Sequence, residues 1–584
     1  MKKLLFLLLL IPVAQAADVN GYTAAYECKS GGANCNVDVA TYTTAACAQT
    51  ITTADSLSTI ESKLNTGSSP ICVTNGDYTG KGAISITASG TSGAYRVMRY
   101  YRSGDTDDEP WNQSSGNKAS FVRLNFNGAD YWIVHRIMVN GGGSSIGIRL
   151  YGTATHNIFS RIDAFDSGNT YGGIVQIEDG SDGTKIQNSY IHDCALTGGA
   201  ESEGVLITGS TADVFLVNNE INNCTKVIYE DEQADATNFV IENNDIYIGT
   251  DKYTDCSGNY TPSGNCSITE YIVNFKDASD TISLPTRIIH NRIWGARPTD
   301  TNVSGDSANE GGLIALSVGG PGTSLPYSGA DNVLIQNNLL FDAQQGIVTT
   351  GYNPAGGTQL NNHSVIGNIM YKFHTYASGY GTHALIWNYR TANELYLNTI
   401  IDSTRTTGSA NHSWLVHDTS DVDSDIRCNV IIGSDTQNGT GSGTQIDYNV
   451  YYGTTDSGET HKLGNYTLNT RANSTAYSLG AIIRTTSTPP ADGTAGDFLY
   501  IVTTAGTSAG SPPSYTTTLG GTTTDGTMVV KAVRGPKSFY RKLRTGAVIA
   551  YIPYATVHTS ATEYQYCPSG FASRSGIGID NTQP

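Results

Sequence analysis

The sequence predicts an all-β chain that folds as a parallel β-solenoid, and three observations support this prediction. An asparagine recurs along the chain, each time with an apolar or aromatic residue two positions later. The repeats hold short runs with β character, and no 10-residue amphipathic helix lies between them. The composition agrees, because 65 glycines, 35 tyrosines and many threonines are typical of short strands joined by tight turns.

The spacing of the asparagine repeat sets the kind of solenoid. Successive copies lie 31, 25, 47, 47, 30, 30, 31 and 20 residues apart, so two units are nearly doubled. Leucine-rich and helical solenoids need a helix or a tighter period, and propeller blades are longer, at ~40 to 50 residues. A parallel β-solenoid remains. The copies are Asn219, Asn244, Asn291, Asn338, Asn368, Asn398, Asn429 and Asn449, with a looser one at Asn188.

The recurring asparagine is predicted to be part of the scaffold. Coils of such a solenoid stack ~4.8 Å apart, so equivalent residues form columns. An asparagine at one turn of every coil can hydrogen-bond to its copies above and below and satisfy buried turn amides. Extrapolation toward the N-terminus places His135 and Ser160 at the same phase, and the solenoid is predicted to begin near residue 70.

The N-terminal region is predicted to contain a cleavable signal and a cap. Residues 1–16, "MKKLLFLLLLIPVAQA", join two lysines, an apolar run and small residues, as a secretory signal does. Residues 17–69 are expected to close the open end of the solenoid. Their segment "ADSLSTIESKLN" has Leu57, Ile60 and Leu64 at helical spacing, and Asp55 or Ser56 can cap the helix.

Charge narrows the possible partners. Without Lys2 and Lys3 the formal charge changes from −18 to −20, which argues against nucleic acid and anionic membranes. No later apolar run reaches the ~20 residues of a membrane span. The mature chain is therefore expected to be extracellular, periplasmic or on the cell surface. An acidic polymer would have to bind at a locally basic patch or through a bound cation.

The ten cysteines predict disulfides, because all lie in the exported part and their number is even. No C-x-x-C spacing suggests a metal site. Sequence spacing does not fix connectivity. The candidate pairs are Cys256–Cys266, Cys194–Cys224, Cys28–Cys35 and Cys47–Cys72, with Cys428 and Cys567 left by elimination.

The C-terminal part departs from the repeat. Residues 470–533 contain "AYSLG", "TAGTSAGSPPSY" and "TTTDGT", and this segment resembles a small β-rich module of phage tail and bacterial surface proteins. Two positions where tryptophan is usual hold Tyr515 and Val530. The final segment, 534–584, carries the basic stretch "RGPKSFYRKLR", which is expected to be a solvated loop.

The repeat region, residues 70–460, resembles the pectate-lyase-like superfamily. The resemblance implies a right-handed parallel β-helix of roughly 11–13 coils, with an N-terminal capping helix and a small C-terminal β-rich module. That superfamily includes polysaccharide lyases, pectin hydrolases, tailspikes and adhesins, so its fold does not specify an activity. The hydrolase motifs G-H-G and R-I-K and the lyase motif W-I-D-H are absent.

One strand upstream of the repeated asparagines supplies the candidate site. In "YIVNFKD", inward Val273 and Phe275 place Asn274 and Lys276 outward, ~7 Å apart. Strand alignment puts Asp231 in the coil below Lys276 and Ser317 in the coil above. The two long insertions flank this strand, and functional residues concentrate on such loops. We therefore expect these residues to converge with three arginines of the following coil, Arg287, Arg292 and Arg297.

This group of residues predicts β-elimination on a uronic-acid polysaccharide. "TEYIVNFKD" resembles the E-N-x-I-D-x-K strand of secreted β-helix proteins, with Asn274 where aspartate is usual and Tyr271 where asparagine is. Lys276 would be the base, assisted by Arg292 and Arg297. The substrate would be bound by Asn274, Arg287, Trp294 and Ser317. A calcium ion would be held by Glu203, Glu230 and Asp231.

Other interpretations stay open. Lys276 paired with Asp231 would be a surface ion pair worth ~0 to 1 kcal/mol, and the acidic residues would be a solvated face. A glycosidase would use Glu203 with Glu230 or Asp231. The competing class is a binding protein without catalysis, an adhesin or tail-fibre-like protein that holds glycans through aromatic residues such as Trp294, Trp387 and Trp414. The sugar and the oligomeric state are left open.

Overall fold

The structure is a computed structural model in which the chain winds through three parallel β-sheets, here called A, B and C. Each regular coil runs through one strand of sheet C, one of sheet A and one of sheet B. The structure describes residues 37–100, 118–144, 146–167, 172–194, 203–224, 226–230, 237–248, 271–275, 286–296, 312–317, 333–343, 345–350, 363–373, 383–389, 393–396, 398–401, 413–418, 425–427, 429–432, 445–447, 450–452, 464–466, 468–479, 481–485, 498–516 and 521–534.

The described strands form a right-handed parallel β-helix, which confirms the predicted fold class. Sheet C has 11 strands, within the predicted number of coils, and sheets A and B have 14 each. In chain order sheet C comprises Ala83–Ile86, Arg123–Asn127, Ile148–Tyr151, Gly173–Ile177, Glu203–Ile207, Lys226–Glu230, Tyr271–Phe275, Gly312–Ser317, Gln345–Thr350, His383–Tyr389 and Ser413–Asp418.

Sheets A and B meet at the turn that carries the repeated asparagine. Sheet A comprises Gln49–Ile51, Ile71–Val73, Arg96–Tyr100, Trp132–His135, Ile158–Ser160, Lys185–Gln187, Phe215–Val217, Val240–Glu242, Arg287–Ile289, Leu334–Gln336, His363–Ile366, Asn393–Tyr396, Asp425–Arg427 and Gln445–Asp447. Sheet B comprises Gly76–Asp77, Ala119–Phe121, Met138–Ser144, Asp163–Ser167, Tyr190–His192, Glu220–Asn222, Asp245–Tyr247, Arg292–Trp294, Leu339–Ala343, Ile369–Phe373, Thr399–Ile401, Val430–Ile432, Val450–Tyr452 and Gly464–Tyr466.

The core lies inside the coils because apolar side chains alternate inward along each strand. In sheet C, Val205, Ile228, Val273 and Ile314 are in register and fully buried. Similar columns from sheets A and B complete one continuous apolar core. The register that the sequence predicted for the central strands, with the Glu230 strand below and the Leu316 strand above Phe275, is confirmed.

The N-terminal cap contains the predicted helix, Leu57–Thr66, preceded by a short helix, Val39–Thr43. Ser56 is the N-cap, and its hydroxyl accepts from the Thr59 amide, whereas Asp55 pairs with Lys63 at 2.7 Å. Ile60 and Leu64 are fully buried against the first coils. Sheet A begins at Gln49–Ile51, so the solenoid starts before residue 70, earlier than predicted. A 3-10 turn, Thr79–Lys81, precedes sheet C.

Two of the predicted disulfides are present. Cys47–Cys72 joins the cap to sheet A, and Cys194–Cys224 links two neighbouring coils. Cys28, Cys35, Cys256, Cys266, Cys428 and Cys567 lie outside the described residues.

The C-terminal module has its own small core. Its five-stranded sheet comprises Leu468–Thr470, Ile482–Arg484, Phe498–Thr504, Met528–Arg534 and Thr522–Asp525, and a pair is formed by Ala476–Tyr477 and Gly506–Thr507. Arg471 donates to both carboxylate oxygens of fully buried Asp525, at 2.8 and 3.0 Å, and Tyr515 also donates to this carboxylate. Tyr515, where the module usually has tryptophan, is thus tied to the interior.

The asparagine ladder at the turn between sheets A and B is confirmed. Asn291 is representative: its Oδ1 accepts from the backbone amide of Asn244 at 2.8 Å, and its Nδ2 donates to the Ile241 carbonyl at 2.8 Å and to Asn338 Oδ1 at 3.1 Å. The same pattern joins Asn219, Asn244, Asn291, Asn338, Asn368, Asn398 and Asn429. Asn449 lies outside the described residues.

The predicted phase of the ladder was wrong at its N-terminal end. Ser189, not Asn188, occupies the ladder position, because the Ser189 amide donates to Asn219 Oδ1 at 2.9 Å. Asn188 precedes it with a left-handed backbone, φ 52°, which asparagine tolerates better than most residues. His135 and Ser160 pair with each other in sheet A. The ladder phase belongs two residues later, to buried Ile137 and Ile162.

Candidate functional site

The described members of the predicted site lie on three different sheets of the solenoid. Asn274 lies on sheet C, Arg287 on sheet A, and Arg292 and Trp294 on sheet B. The chain turns a corner of the solenoid between each of these strands. Asn274, Arg287 and Arg292 are therefore near in sequence but lie on three different sheets of the same coil. Lys276 and Arg297 lie outside the described residues.

Arg292 and Trp294 belong to a packed row on the outer face of sheet B. Arg292 forms a bidentate ion pair with Asp245 in the preceding coil and is only 4% exposed. The Trp294 ring stacks on Tyr247, with centroids 4.1 Å apart, and on Phe341, at 5.3 Å. Both faces of the indole are occupied by neighbouring rings, so this row presents ring edges rather than a free face to a sugar.

The two described members of the predicted calcium set are separated. Glu230 is fully buried and in register with Ile207 and Phe275, which belong to the core, so it lies on the inner face. Glu203 is in register with Lys226, whose ammonium lies 4.2 Å from the centroid of the outer-face Tyr229 ring. Asp231 lies outside the described residues. Across the described ranges, no three His, Cys, Asp or Glu side chains group as metal ligands.

The central outer face of sheet C is polar and aromatic but buried. Asn274 is in register with Tyr229 and Ala315, and its exposed fraction is 1%. Tyr271 packs against Ala315 and Val348 in a small apolar cluster. Ser317 is in register with Thr350 at the end of its strand. These positions do not form an open groove.

The more accessible part of the sheet C face lies in the N-terminal coils, and the sequence analysis had missed it. Arg123 Nε donates to Asn125 Oδ1 at 2.8 Å. Arg149 forms a bidentate pair with Glu178 through Nε and through Nη2, the latter at 3.1 Å. Its guanidinium also lies 4.5 Å from the centroid of the Tyr151 ring. All five side chains are half-buried, so solvent and ligands can approach them.

Electrostatics in this cluster are those of a partly desolvated cationic patch. Burial, followed by the charge of Arg149, lowers the pKa of Arg123. The hydrogen bonds to Glu178 raise the pKa of Arg149. Gln176 Nε2 donates to Glu178 Oε1 at 3.1 Å, while the buried Oε1 of Gln176 has no hydrogen-bond partner. The patch therefore holds two cations against one carboxylate, in a chain of net charge −18.

A signal for this cluster was present in the sequence. In "RLNFN", "IRLY" and "GIVQIED", polar residues alternate with the apolar ones, which places the arginines and the glutamine outward. The repeated asparagine is absent from these N-terminal coils, so the sequence did not show how their strands align with the later strands of sheet C.

Sheet B carries a second polar cluster around His192. Its Nε2 lies 3.0 Å from Asp163 Oδ1 and its Nδ1 2.8 Å from Asp193 Oδ2. The ring stacks on Tyr190, at 3.7 Å, and on Phe165, at 5.0 Å. Burial alone would lower the pKa of His192, but hydrogen bonds to the two carboxylates outweigh it and raise the pKa. His192 thus links neighbouring coils through the carboxylates of Asp163 and Asp193.

Two other histidines are buried and neutral. Burial, reinforced by Arg136, Arg161 and Arg99, lowers the pKa of His135 to about 3. Burial likewise lowers the pKa of His363 to about 3, and its Nδ1 accepts from the Val333 amide at 3.2 Å. His363 therefore acts as a turn acceptor.

Comparison with known proteins finds shape similarity without sequence similarity. No protein-family model and no curated protein sequence matches the chain. An alginate lyase from Paenibacillus sp. str. FPU-7 is 17% identical, with 56% of this chain and 99% of that one covered and a TM-score of 0.38. Pectate lyase Pel9A is 14% identical, with 57% and 78% covered and a TM-score of 0.35. The Dettilon tailspike protein is 12% identical, with 79% and 78% covered and a TM-score of 0.31.

Each of these proteins is similar only weakly in backbone shape, so none assigns an activity. Among the described residues, no helix is long and apolar enough to cross a membrane.

Proposed function

We propose that this protein is a secreted, carbohydrate-active β-helix protein that binds an acidic polysaccharide along the outer face of sheet C. One observation carries the proposal. Strand register aligns Ser85, Asn125, Arg149 and Gln176, all half-buried, in a single outward column. Each of these four side chains can hydrogen-bond.

A column of this kind suits a linear polymer. Its four strands span about 14 Å at ~4.8 Å per step, so a chain lying parallel to the solenoid axis meets a new side chain at each coil. Arg149 is paired with Glu178, whereas Arg123 bonds the uncharged amide of Asn125, so the two arginines and one carboxylate give the N-terminal end of the column a local positive charge. This is the basic patch that an acidic polymer needs on an acidic protein.

Secretion supports a polysaccharide as the partner. The disulfides Cys47–Cys72 and Cys194–Cys224 are consistent with an oxidising compartment, where extracellular glycans are found. The predicted signal at residues 1–16 agrees with this location.

The test of binding is a retention assay on immobilised polygalacturonate, alginate, hyaluronan and neutral dextran, with mature protein at low and high salt. We expect salt-sensitive retention on at least one acidic polymer and none on dextran. Retention on dextran alone, or on nothing, would contradict the proposal. Salt sensitivity is expected because the interaction depends on partly exposed charges.

The second candidate function is β-elimination on the same polymer. It is favoured by Asn274, because the strand Tyr271–Phe275 directly precedes Lys276, the base that the sequence predicts. Arg297, the predicted cationic partner, follows the sheet B strand Arg292–Trp294 in the sequence. A base would take the proton beside the uronate carboxylate, and the glycosidic oxygen would leave as the double bond forms. Arg292 has no part in this proposal because Asp245 holds it on sheet B. Calcium at Glu203, Glu230 and Asp231 has none either, because the first two carboxylates are separated.

The elimination reaction is tested by the absorbance of the unsaturated uronate product. Incubation of the wild type with the same acidic polymers should raise this absorbance, and Lys276→Ala should abolish the rise while the protein still binds. Retention without product in the wild type would leave a binding protein of the adhesin type and reject the lyase.

A further inference from the structure

Two arginines on the outer face of sheet C, in the N-terminal coils, indicate which chemical group of a ligand this face recognises. Arg123 and Arg149 lie on the outer face of neighbouring strands of sheet C. Glu178, in the coil after Arg149, engages Arg149 through two of its nitrogens. Among the described residues, Arg123 has one side-chain hydrogen bond, from Nε to the uncharged amide of Asn125.

The charges in this cluster are not balanced. Two guanidinium groups share one carboxylate, and within the described ranges the terminal nitrogens of Arg123 have no acceptor. The positive charge is partly buried, since the Arg149 side chain is 34% exposed and Glu178 is 20% exposed. An anion placed between the two guanidinium groups would relieve their repulsion and use their free donors.

Gln176 adds a second requirement that a simple anion does not meet. Its Nε2 is held by Glu178, and its Oε1 has no hydrogen-bond partner among the described residues and no exposed surface in the free protein. Rotation of this half-buried side chain would present the Oε1 to a ligand, whose donor would then remove the free-energy cost of the unsatisfied acceptor. Sugar acids carry hydroxyl donors close to their anionic group. A ligand with both features would satisfy the arginines and the glutamine together.

We infer that Arg123, Arg149 and Gln176 form a subsite for one acidic sugar unit, recognised through its carboxylate or sulfate group and one neighbouring hydroxyl. This inference deepens the proposed function and rests on it. The subsite lies on the half-buried N-terminal part of the sheet C face. A polymer bound there would be selected for an acidic group where it crosses these strands.

Substitution of Arg123 is the sharpest test, because this side chain makes one hydrogen bond to the protein and its loss should leave the fold intact. Arg123→Gln removes the charge, and Arg123→Lys keeps the charge but removes the planar pair of donors. Lys118→Gln, which changes net charge equally outside sheet C, is the matched control. Circular dichroism and thermal unfolding of each variant establish that the fold is retained.

Dissociation constants are measured for polygalacturonate, which offers carboxylates, for dextran sulfate, which offers sulfates, and for neutral dextran. We expect Arg123→Gln to weaken binding of the preferred acidic polymer about tenfold and Arg123→Lys to weaken it less. Lys118→Gln should bind as the wild type does. The polymer that loses more affinity in Arg123→Gln identifies the anionic group. Equal affinities for the wild type and Arg123→Gln would overturn the subsite and leave the proposed function standing.

A small-molecule assay separates the subsite from the function. Glucuronate should raise the Tm of the wild type more than that of Arg123→Gln. If glucuronate acts in this way but no acidic polymer binds, the subsite stands and the proposed polysaccharide function fails. If neither polymer nor glucuronate distinguishes the wild type from Arg123→Gln, the subsite inference is overturned.

Discussion

The turn between sheets A and B and the outer face of sheet C are built on the same coils but use polar side chains in opposite ways. At the turn, identical asparagines face each other, and each one satisfies the backbone and side chain of its neighbour. On sheet C the aligned residues differ from coil to coil. The amide oxygen of Gln176 and the terminal nitrogens of Arg123 have no partner in the described residues.

This difference separates scaffold from ligand surface. A column of identical amides can satisfy itself, so its substitution should cost stability. A column of dissimilar polar groups leaves donors and acceptors available, so its substitution should change binding and leave stability nearly unaffected. The predictions below test that distinction, from the largest expected effect on stability to the smallest.

Removal of the Cys194–Cys224 disulfide should have the largest effect. The bond closes a loop with a sequence separation of 30 and links neighbouring coils. The paired change Cys194→Ala with Cys224→Ala should lower the free energy of unfolding by about 3 to 4 kcal/mol, because the unfolded chain gains freedom. Urea denaturation of the variant and the wild type measures this. Unchanged midpoints would mean that the bond does not constrain the chain.

Asn291→Ala should come next, at about 2 to 3 kcal/mol, because it orphans the buried Asn244 amide and the Ile241 carbonyl. The matched control is Asn337→Gly, at the left-handed position where φ is 56° and glycine is tolerated. Denaturation of both proteins checks the difference. An equal loss of unfolding free energy in Asn337→Gly would show that any substitution at this turn destabilises the fold, and that the ladder hydrogen bonds are not the cause.

Ser189→Ala should cost less, about 1 kcal/mol, because the serine hydroxyl accepts from one amide of a neighbouring coil, that of Ile162 at 3.2 Å, and otherwise donates locally to the Gln187 carbonyl at 2.8 Å. The same denaturation series places this variant between the wild type and Asn291→Ala. A cost equal to that of Asn291→Ala would contradict the account of the ladder as a sum of individual hydrogen bonds.

The His192 cluster predicts a pH dependence confined to the N-terminal coils. The folded-state pKa of His192 is raised by its bonds to Asp163 and Asp193, so its contribution to stability is fully present below the unfolded pKa, about 6.5, and is lost as pH rises through the folded pKa. Tyr190 and Phe165 cover the ring. The pKa of Tyr190 is raised by burial, so it titrates well above this range, and Phe165 does not titrate.

The contribution of His192 is measured as the difference in urea midpoint between the wild type and His192→Gln, and this difference should be larger on the acidic side of that range. The neutral histidines His135 and His363 act with the opposite sign in both proteins, so they cancel from the difference. A difference that is the same on both sides would assign the pH dependence to other groups.

Gln176→Ala should have almost no effect on stability, within about 0.5 kcal/mol, because the side chain is bonded only through Nε2 and its Oε1 is already unsatisfied. The affinity of the Gln176→Ala protein for an acidic polymer should nevertheless be lower than that of the wild type. A large loss of stability would place Gln176 with the scaffold and remove the contrast between the two regions.

The sequence predicted the scaffold well because the scaffold is periodic. The ladder, the helix Leu57–Thr66 and the register of sheet C follow from residue types that recur at fixed positions. The prediction slipped by one residue at Asn188, since two consecutive polar residues can both fit a turn. Only the backbone conformation distinguishes the left-handed position from the ladder position, which Ser189 holds.

The sequence did not show which sheet of the solenoid each candidate site residue joins. Arg287 and Arg292 are close to Asn274 in sequence, but corners of the coil direct them to sheets A and B. Arg123 and Arg149 are distant from Asn274 in sequence yet share its face. Sequence distance therefore does not indicate which residues share a sheet, because the sheet that a strand joins depends on where the chain turns between strands.

The central claim is that acidic polysaccharide binds on the outer face of sheet C. The most direct measurement is the dissociation constant of the preferred acidic polymer for the wild type, Arg149→Gln and Arg287→Gln, two changes of equal charge on two different sheets. The account predicts binding weakened about tenfold in Arg149→Gln and unchanged in Arg287→Gln. Weakened binding in Arg287→Gln, with Arg149→Gln equal to the wild type, would contradict it.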